Sequence, residues 1–448
     1  MTQRLEVIPL QEYGEASVDD ELVGLVDPDF WTALGMTVSR SPGAEVWTLK
    51  AGSLSGIARV RSRAVDLTVH IAPKLAGADL VFLAEHAYGQ KVDALRRPNA
   101  DRVGVDSQHD DPIATLLVWY VDAVREFATR WLRRSYRTRR VVLNSRIRGR
   151  VLIGQYINRS LTTARAQEIP CAVTERTVDT ANNRVLKAGL RRVAKLAQTL
   201  PVPAAQRAVR RAVAGALPLF ADVTDAEIGP GELREVSARG PERHYASIIA
   251  TTIDLLQGRY LGQNLGEANV QSFLWSMPDL FQEAVRGLLQ ESGVVGLRGD
   301  RRPTAKYYNA AGARLRSSRI DPDYVLDGPD GVILLDAKYK DALGLGGGDT
   351  ELVESADGPS LRVSRSDLYQ LAAYRQHDAW QGAPVAIVYP VVVGASGLLP
   401  APYVVHGLGA PIWLTFVDVG PRARDHIGAF IQRVIGLGDP NASADSRP

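Results

Sequence analysis

The sequence predicts a multidomain α+β protein: a β-rich N-terminal domain over residues 1–110, a helical, arginine-rich middle region over 111–263, an α/β C-terminal domain over 264–436 and a disordered tail over 437–448. Three observations predict it. Short apolar runs broken by Gly, Pro and Ser fill residues 4–75, the pattern of short strands and turns. Leu116, Tyr120, Val124, Phe127 and Trp131 recur at three- or four-residue spacing, which gives one buried helical face of about five turns. Between 320 and 340 two aliphatic runs flank a Gly/Pro/Asp cluster, which is a hairpin.

The chain has 448 residues, and at about 100–200 residues per domain it suits two or three cores. Its 53 Lys and Arg against 50 Asp and Glu leave a net charge of +3, so a nucleic-acid surface must be local. A single cysteine, Cys171, excludes an internal disulfide framework and a thiolate metal cluster, and points to a reducing compartment. Residues 1–13 are polar and mixed in charge, unlike a secretory signal, and no apolar run reaches about 18 residues. The expectation is a cytoplasmic protein without a membrane segment. No Gly-rich phosphate loop ending in Gly-Lys-Ser/Thr occurs, so the chain is not expected to bind GTP or ATP itself.

In the N-terminal part, Val46–Leu49 and Ile57–Val60 read as strands. The last strand, Leu67–Ile71, ends in Pro73-Lys74, and Asp79–Tyr88 then reads as a short helix with Leu80, Leu83 and Ala87 on one face. Residues 96–111 are polar and mark a loop. Asp111-Pro112 opens the long helix, with proline in its first turn. That helix turns basic toward its C-terminal half. Arg125, Arg130, Arg133, Arg134, Arg137, Arg139, Arg140, Arg146, Arg148 and Arg150 face only Glu126 across the segment. Either they track nucleic-acid phosphates, with Arg133, Arg134, Arg137, Arg139 and Arg140 as the candidate contacts, or they form a solvated face favoured by the helix dipole. Asp179 or Thr180 can cap the next helix, whose apolar face is Val185, Leu186, Leu190, Val193 and Leu196. Asn183 and Arg184 at its start are buried struts or partner contacts. A break at Pro201–Pro203, a basic helix through Ala214 and a helix over Tyr245–Leu256 complete the region.

The C-terminal domain begins near Asn264. Leu280, Phe281, Ala284, Val285 and Leu288 form a helical face, with Glu283 just off it. In the hairpin, if Asp327 faces Val332, counting back along both strands places Asp323 opposite Asp336, with Cβ atoms roughly 4.5–5.5 Å apart. Side chains alternate along a strand, so Lys338 shares the face of Asp336 and Ala337 points away. Two carboxylates that close repel unless one takes a proton or a cation sits between them. A hard divalent ion with waters to spare, Mg2+, is the simplest resolution, and an adjacent ammonium suits phosphodiester chemistry. The bland alternative is a solvated Asp336–Lys338 ion pair worth about 0–1 kcal/mol. The aliphatic run Val332–Leu335, apolar on both faces, argues for a central strand with charge only at its end. After a glycine-rich loop over Leu343–Ser360, Ser364 and Asp367 are spaced as a capping box for a helix carrying Gln370 and Tyr374 on one face. That face either reaches the site or packs on the sheet. Strands over Val385–Val393 and Ile412–Val417 and a closing helix over Arg422–Ile435 follow.

Pro322-Asp323, Asp336-Ala337-Lys338 and Gln370-x-x-x-Tyr374 together resemble the PD-(D/E)xK nuclease signature with its Gln-x-x-x-Tyr helix. Asp-Ala-Lys-Tyr-Lys followed by Ser-Asp-Leu-Tyr-Gln-Leu-Ala-Ala-Tyr is similar to McrC, the nuclease subunit of McrBC modification-dependent restriction systems. Val-His-Ile-Ala-Pro-Lys-Leu, Ile147–Val151 and Thr177–Lys187 also resemble that family. The resemblance implies a restriction-endonuclease-like C-terminal domain that cleaves DNA, modified DNA in particular. Asp323, Asp336 and the Ala337 backbone carbonyl would hold one or two Mg2+ ions, or Mn2+, and Lys338, Gln370 and Tyr374 would complete the catalytic group. It also implies a separate McrB-like AAA+ GTPase hexamer as partner, whose hydrolysis the chain stimulates. The family's first-helix pattern looks like Leu-Phe-Glu, and here the matching position is Gln282, so either Gln282 replaces the acid or Glu283 rotates in. The competing expectations are an adaptor that only activates an NTPase and a stand-alone RecB-like or Cas4-like DNA exonuclease. Relatives of the latter often carry an iron–sulfur cluster, which one cysteine cannot hold.

Overall fold

The computed structural model describes residues 3–89, 112–162, 164–257, 269–294, 304–308, 314–319, 322–328, 331–343, 351–353, 361–377, 380–393, 397–408 and 411–437. The boundary loop at 96–111, most of the glycine-rich loop and the tail from 438 lie outside them. The chain forms two compact units, one of residues 1–119, 199–205 and 257–448, the other of 120–198 and 206–256.

In the first unit, a four-stranded sheet runs in the order Arg4–Gln11, Val65–Ala72, Leu54–Arg61, Asn269–Ser276. Its alternation places Leu54, Ala58 and Val60, together with Val65, Leu67, Val69 and Ile71, in a core with Phe30, Trp31 and Leu34. Asn269–Ser276 was expected to open the C-terminal domain; it pairs antiparallel with Leu54–Arg61 instead. A strand with no neighbour of its own leaves its backbone groups unpaired, and the edge of the N-terminal sheet satisfies them.

The C-terminal sheet has five strands in the order Tyr324–Gly328, Gly331–Ala337, Val385–Val391, Ile412–Asp418, Tyr403–Val405. Its three middle strands are parallel and the edge strands antiparallel. Ile333, Leu334 and Leu335 are buried, as are Val385–Tyr389, so the middle strands read as near-continuous aliphatic runs. Helix Met277–Glu291 buries Leu280, Phe281, Ala284, Val285 and Leu288, the predicted face. It packs against helix Leu80–Tyr88, whose cap is Asp79, accepting from the Phe82 N–H at 2.9 Å. Asp79 N–H also donates to the Val419 carbonyl at 2.6 Å, and Arg424 of helix Ala423–Gly436 reaches Glu85 at 2.5 Å and Asp79 at 3.3 Å. The N-terminal helix is thus part of the C-terminal domain's wall.

The second unit corrects the expectation of an all-helical middle region. The helix from Pro112 stops at Trp131, and Ser135–Asn144 is a strand paired along its whole length with Glu168–Thr177, which also takes the short strand Arg150–Val151. Arg137, Arg139 and Arg140 therefore lie on an exposed strand, not on a helix. The physical reason is the partner: Cys171, Ala172 and Val173 are buried along Glu168–Thr177, and the β-branched Thr138, Val141 and Val142 pair across from it. Trp131, expected on the buried helical face, is half exposed and stacks on His244. Thr180 is the cap of helix Ala181–Leu196, accepting from Asn183 N–H at 3.3 Å. Asn183 is a buried strut: its amide donates to the Arg133 and Val178 carbonyls and accepts from the Tyr245 hydroxyl at 2.7 Å. Arg184 donates to Asp179 at 3.0 Å.

Helix Met277–Glu291 crosses Leu80–Tyr88 closely because Gly287 has no side chain. A Cβ there would lie 1.9 Å from the His86 carbonyl oxygen. Gly287→Ala is expected to destabilise the protein by about 3 kcal/mol, the upper range for overpacking, read as a lower denaturation midpoint at unchanged slope.

Candidate active site

The hairpin has the expected register. Asp327 pairs with Val332 and Tyr324 with Leu335, so the next position along each strand sets Asp323 against Asp336. Gly331 has φ +136°, a conformation open to glycine at little cost, and starts the second strand where Gly328 pairs with it. Asp336 is 1 % exposed at the end of a buried central strand. Asp323 accepts two hydrogen bonds, from Gln282 Nε2 at 2.6 Å on Oδ1 and from the Ala337 N–H at 2.8 Å on Oδ2. Lys338 Nζ stands 2.6 Å from Asp336 Oδ2. At that distance the ammonium is the partner of Oδ2 in a charge-assisted contact.

Burial, and after it the charge of Asp336, pushes the Asp323 carboxyl up to about 6. Burial also raises Asp336, against the pull of Lys338. Burial alone would lower Lys338, but its contact with Asp336 outweighs that and holds the ammonium charged. A buried carboxylate, Asp336, facing a half-buried one, Asp323, fits a hard divalent cation. Among the described residues no three His, Cys, Asp or Glu side chains converge. The donor set is therefore these two carboxylates, with oxygen from backbone, as the Ala337 carbonyl would give, and from water. Mg2+ and Mn2+ suit such a set, and a soft thiolate metal does not.

On the first helix, Gln282 is the side chain that faces Asp323. Its side-chain amide faces Asp323, and its backbone carbonyl accepts from the Tyr324 hydroxyl at 2.5 Å. Glu283 turns outward and pairs with Arg286 one turn on, at 2.8 Å, with its side chain 47 % exposed. The difference is one helical step of about 100°.

Helix Arg365–Tyr374 carries Gln370 and Tyr374, and Gln370 Nε2 donates to the Tyr374 hydroxyl at 2.5 Å. Burial, and then the Asp336 charge, push the Tyr374 phenol up to about 12, so it remains a neutral hydroxyl beside the carboxylates. The expected capping box is absent. The Ser364 hydroxyl lies 2.7 Å from Ser366 Oγ and caps no helix N–H, while Asp367 is buried and receives Lys340 Nζ at 2.6 Å. Lys340 and Asp367 tie this helix to the chain just after Lys338, a link that sequence reasoning missed. Its signal was the second lysine of Lys-Tyr-Lys, two residues after the first.

The arginines fall in the second unit and are partly occupied there. Arg133 donates to the Pro241 carbonyl, Arg137 lies 3.7 Å from Asp179, and Arg139 and Arg148 approach Glu175 at 3.6 and 3.4 Å. Arg134 and Arg140 are exposed.

The raised Asp323 carboxyl has a stability consequence. Between its ordinary 3.8 and about 6 the folded protein keeps a proton that the unfolded chain has lost, so without metal this group's contribution to stability falls as pH rises across that window. Asp323→Asn is expected to remove this slope, measured as melting temperature against pH in chelator. Added Mg2+ should stabilise the wild type above pH 6 and leave Asp323→Asn little changed.

No curated protein matches the chain at a significant level. A solved chain from the Thermococcus gammatolerans assembly of McrB AAA+ hexamers with bound McrC superposes with a TM-score of 0.56 at 16 % identity, over 96 % of this chain and 100 % of that one. A chain of the cryo-EM structure of the T. gammatolerans McrBC complex aligns at a TM-score of 0.41 and 17 % identity, over 65 % of this chain and 89 % of that one. The first likeness shows a shared fold. The profile of the McrBC 5-methylcytosine restriction system component family matches residues 49–390, and the chain belongs to that family.

Proposed function

We propose that this chain is the metal-dependent DNA endonuclease subunit of a McrBC-type restriction complex, acting in the cytoplasm with a McrB-like AAA+ GTPase whose hydrolysis it stimulates. The observation that carries the proposal is the pairing of the half-buried Asp323 with the buried Asp336, with the charged Lys338 at its edge. Asp323, Asp336 and the Ala337 carbonyl would hold one or two Mg2+ ions. The cation supplies neutralisation of the phosphate charge and acidification of the attacking water. Gln282 and the Ala337 N–H fix the Asp323 carboxylate in place. Lys338 Nζ, kept protonated by Asp336, orients the water and offsets the charge that develops on the phosphate. The Tyr374 hydroxyl and the Gln370 amide offer neutral polar contacts to the DNA backbone from the facing helix. Glu283, paired outward with Arg286, keeps no direct role in this scheme.

Family membership and the fold shared with the T. gammatolerans chain support a partner of the AAA+ kind, since that assembly holds McrB hexamers with bound McrC. The exposed strand Ser135–Asn144 gives Arg137, Arg139 and Arg140, with Arg134 just before it, a route to phosphates. One observation favours the adaptor as second reading: Gln282 stands where the family pattern has an acid, which leaves one carboxylate fewer for metal.

The test is cleavage of methylated and unmethylated plasmid with Mg2+, the AAA+ partner and GTP. Wild type is expected to cut, and Asp336→Ala to lose about a thousandfold or more in rate while partner GTPase stimulation persists. Wild type that stimulates the GTPase and never cuts would establish the adaptor instead.

A further inference from the structure

We propose that Lys74, carried at the end of an N-terminal strand, is a positioning residue of the candidate nuclease centre and acts through Tyr339. The inference rests on the function proposed above. Strand Val65–Ala72 ends at Pro73-Lys74, and the Lys74 ammonium donates to the carbonyl of Tyr339, 265 residues further along the chain. Nζ also lies over two aromatic faces, 4.6 Å from the centre of the Tyr339 ring and 5.2 Å from that of Tyr13. Tyr339 directly follows Lys338. Its ring sits 5.8 Å from Phe281, the neighbour of the Gln282 that holds Asp323. One side chain therefore touches the backbone beside the candidate catalytic lysine and the ring that backs the carboxylate's support.

The joint is held against its local costs. Tyr13 has φ +59°, in the left-handed region that residues with a Cβ avoid, and its N–H is anchored to the Gly52 carbonyl at 3.2 Å. Glu12 is buried, and one oxygen accepts the Lys74 N–H at 2.8 Å. The Glu12 carboxylate also meets Ser55 Oγ and the Tyr339 hydroxyl, both buried beside it. A half-buried ammonium held by a carbonyl dipole and two rings is a strong, directional contact. Strained backbone such as that of Tyr13 persists where the surroundings over-determine it, and such places concentrate at functional sites. Beyond the joint, Lys338 N–H donates to the Val388 carbonyl and Lys340 N–H to the Lys338 carbonyl. The turn bearing Lys338 is thus fixed on the sheet side by Val388 and on the other side by Lys74.

The experiment uses the full chain with its AAA+ partner and GTP, comparing wild type, Lys74→Met, Lys74→Arg and Tyr13→Gly. Cleavage is resolved into kcat and KM, and hydrogen exchange is followed over residues 336–342. Lys74→Met is expected to lower kcat about tenfold or more at unchanged KM, the effect of a small displacement of a catalytic group. Exchange at 338–340 should rise with it, and Lys74→Arg should restore most of both. Tyr13→Gly, which relieves the backbone while removing one ring, should fall between and guards against a misfolded Lys74→Met. Lys74→Met with wild-type exchange and kcat, or with a lower melting temperature and unchanged kcat, would overturn the proposal. If wild type does not cut, the nuclease function fails on its own, and the exchange at 338–340 still decides whether Lys74 holds this turn.

Discussion

Two carboxylates share the end of one hairpin, and almost everything around them answers that repulsion. Withdrawing each from water costs on the order of several kcal/mol, and placing them on opposed strands adds their mutual charge. The protein compensates in part: Asp323 receives an amide from Gln282 and a backbone N–H from Ala337, and Asp336 receives the Lys338 ammonium. The repulsion that remains, with burial, holds the Asp323 carboxyl up to about 6. Under the proposed function a divalent cation would offset the repulsion that remains.

Holding that geometry falls to elements from distant parts of the chain. The central strand Gly331–Ala337 fixes Asp336 through parallel neighbours on one side and the hairpin on the other. Helix Met277–Glu291 brings Gln282 and is pressed into place by the N-terminal helix Leu80–Tyr88 at Gly287. Helix Arg365–Tyr374 is tied by Asp367 to Lys340. The residues after Asp336 thus divide their work. Lys338 serves the carboxylate, Tyr339 meets the N-terminal sheet and Lys340 meets the facing helix.

The hairpin was legible in the sequence because its information is local: a Gly/Pro/Asp turn fixes the register, and a period of two then sets Asp323 against Asp336. The apolar faces of Met277–Glu291 and Ala181–Leu196 were legible for the same reason. What was not legible depended on pairing at a distance. Ser135–Asn144 continues the arginine-rich composition of the preceding helix, and only its partner Glu168–Thr177 makes it a strand. Asn269–Ser276 joins a sheet whose other strands lie some 200 residues earlier, as their paired positions record. Ser364 and Asp367 have the spacing of a cap, but a buried aspartate with a lysine in reach prefers the ion pair. Neighbouring positions Gln282 and Glu283 differ by one helical step, and only the packed helix shows which faces Asp323.

The most direct measurement is a crystal structure of the chain soaked in Mn2+, with data collected for anomalous scattering. A peak within bonding distance, about 2.0–2.3 Å, of oxygens from both Asp323 and Asp336 is the predicted result. No peak between these carboxylates at saturating Mn2+, with their geometry unchanged, would contradict the account.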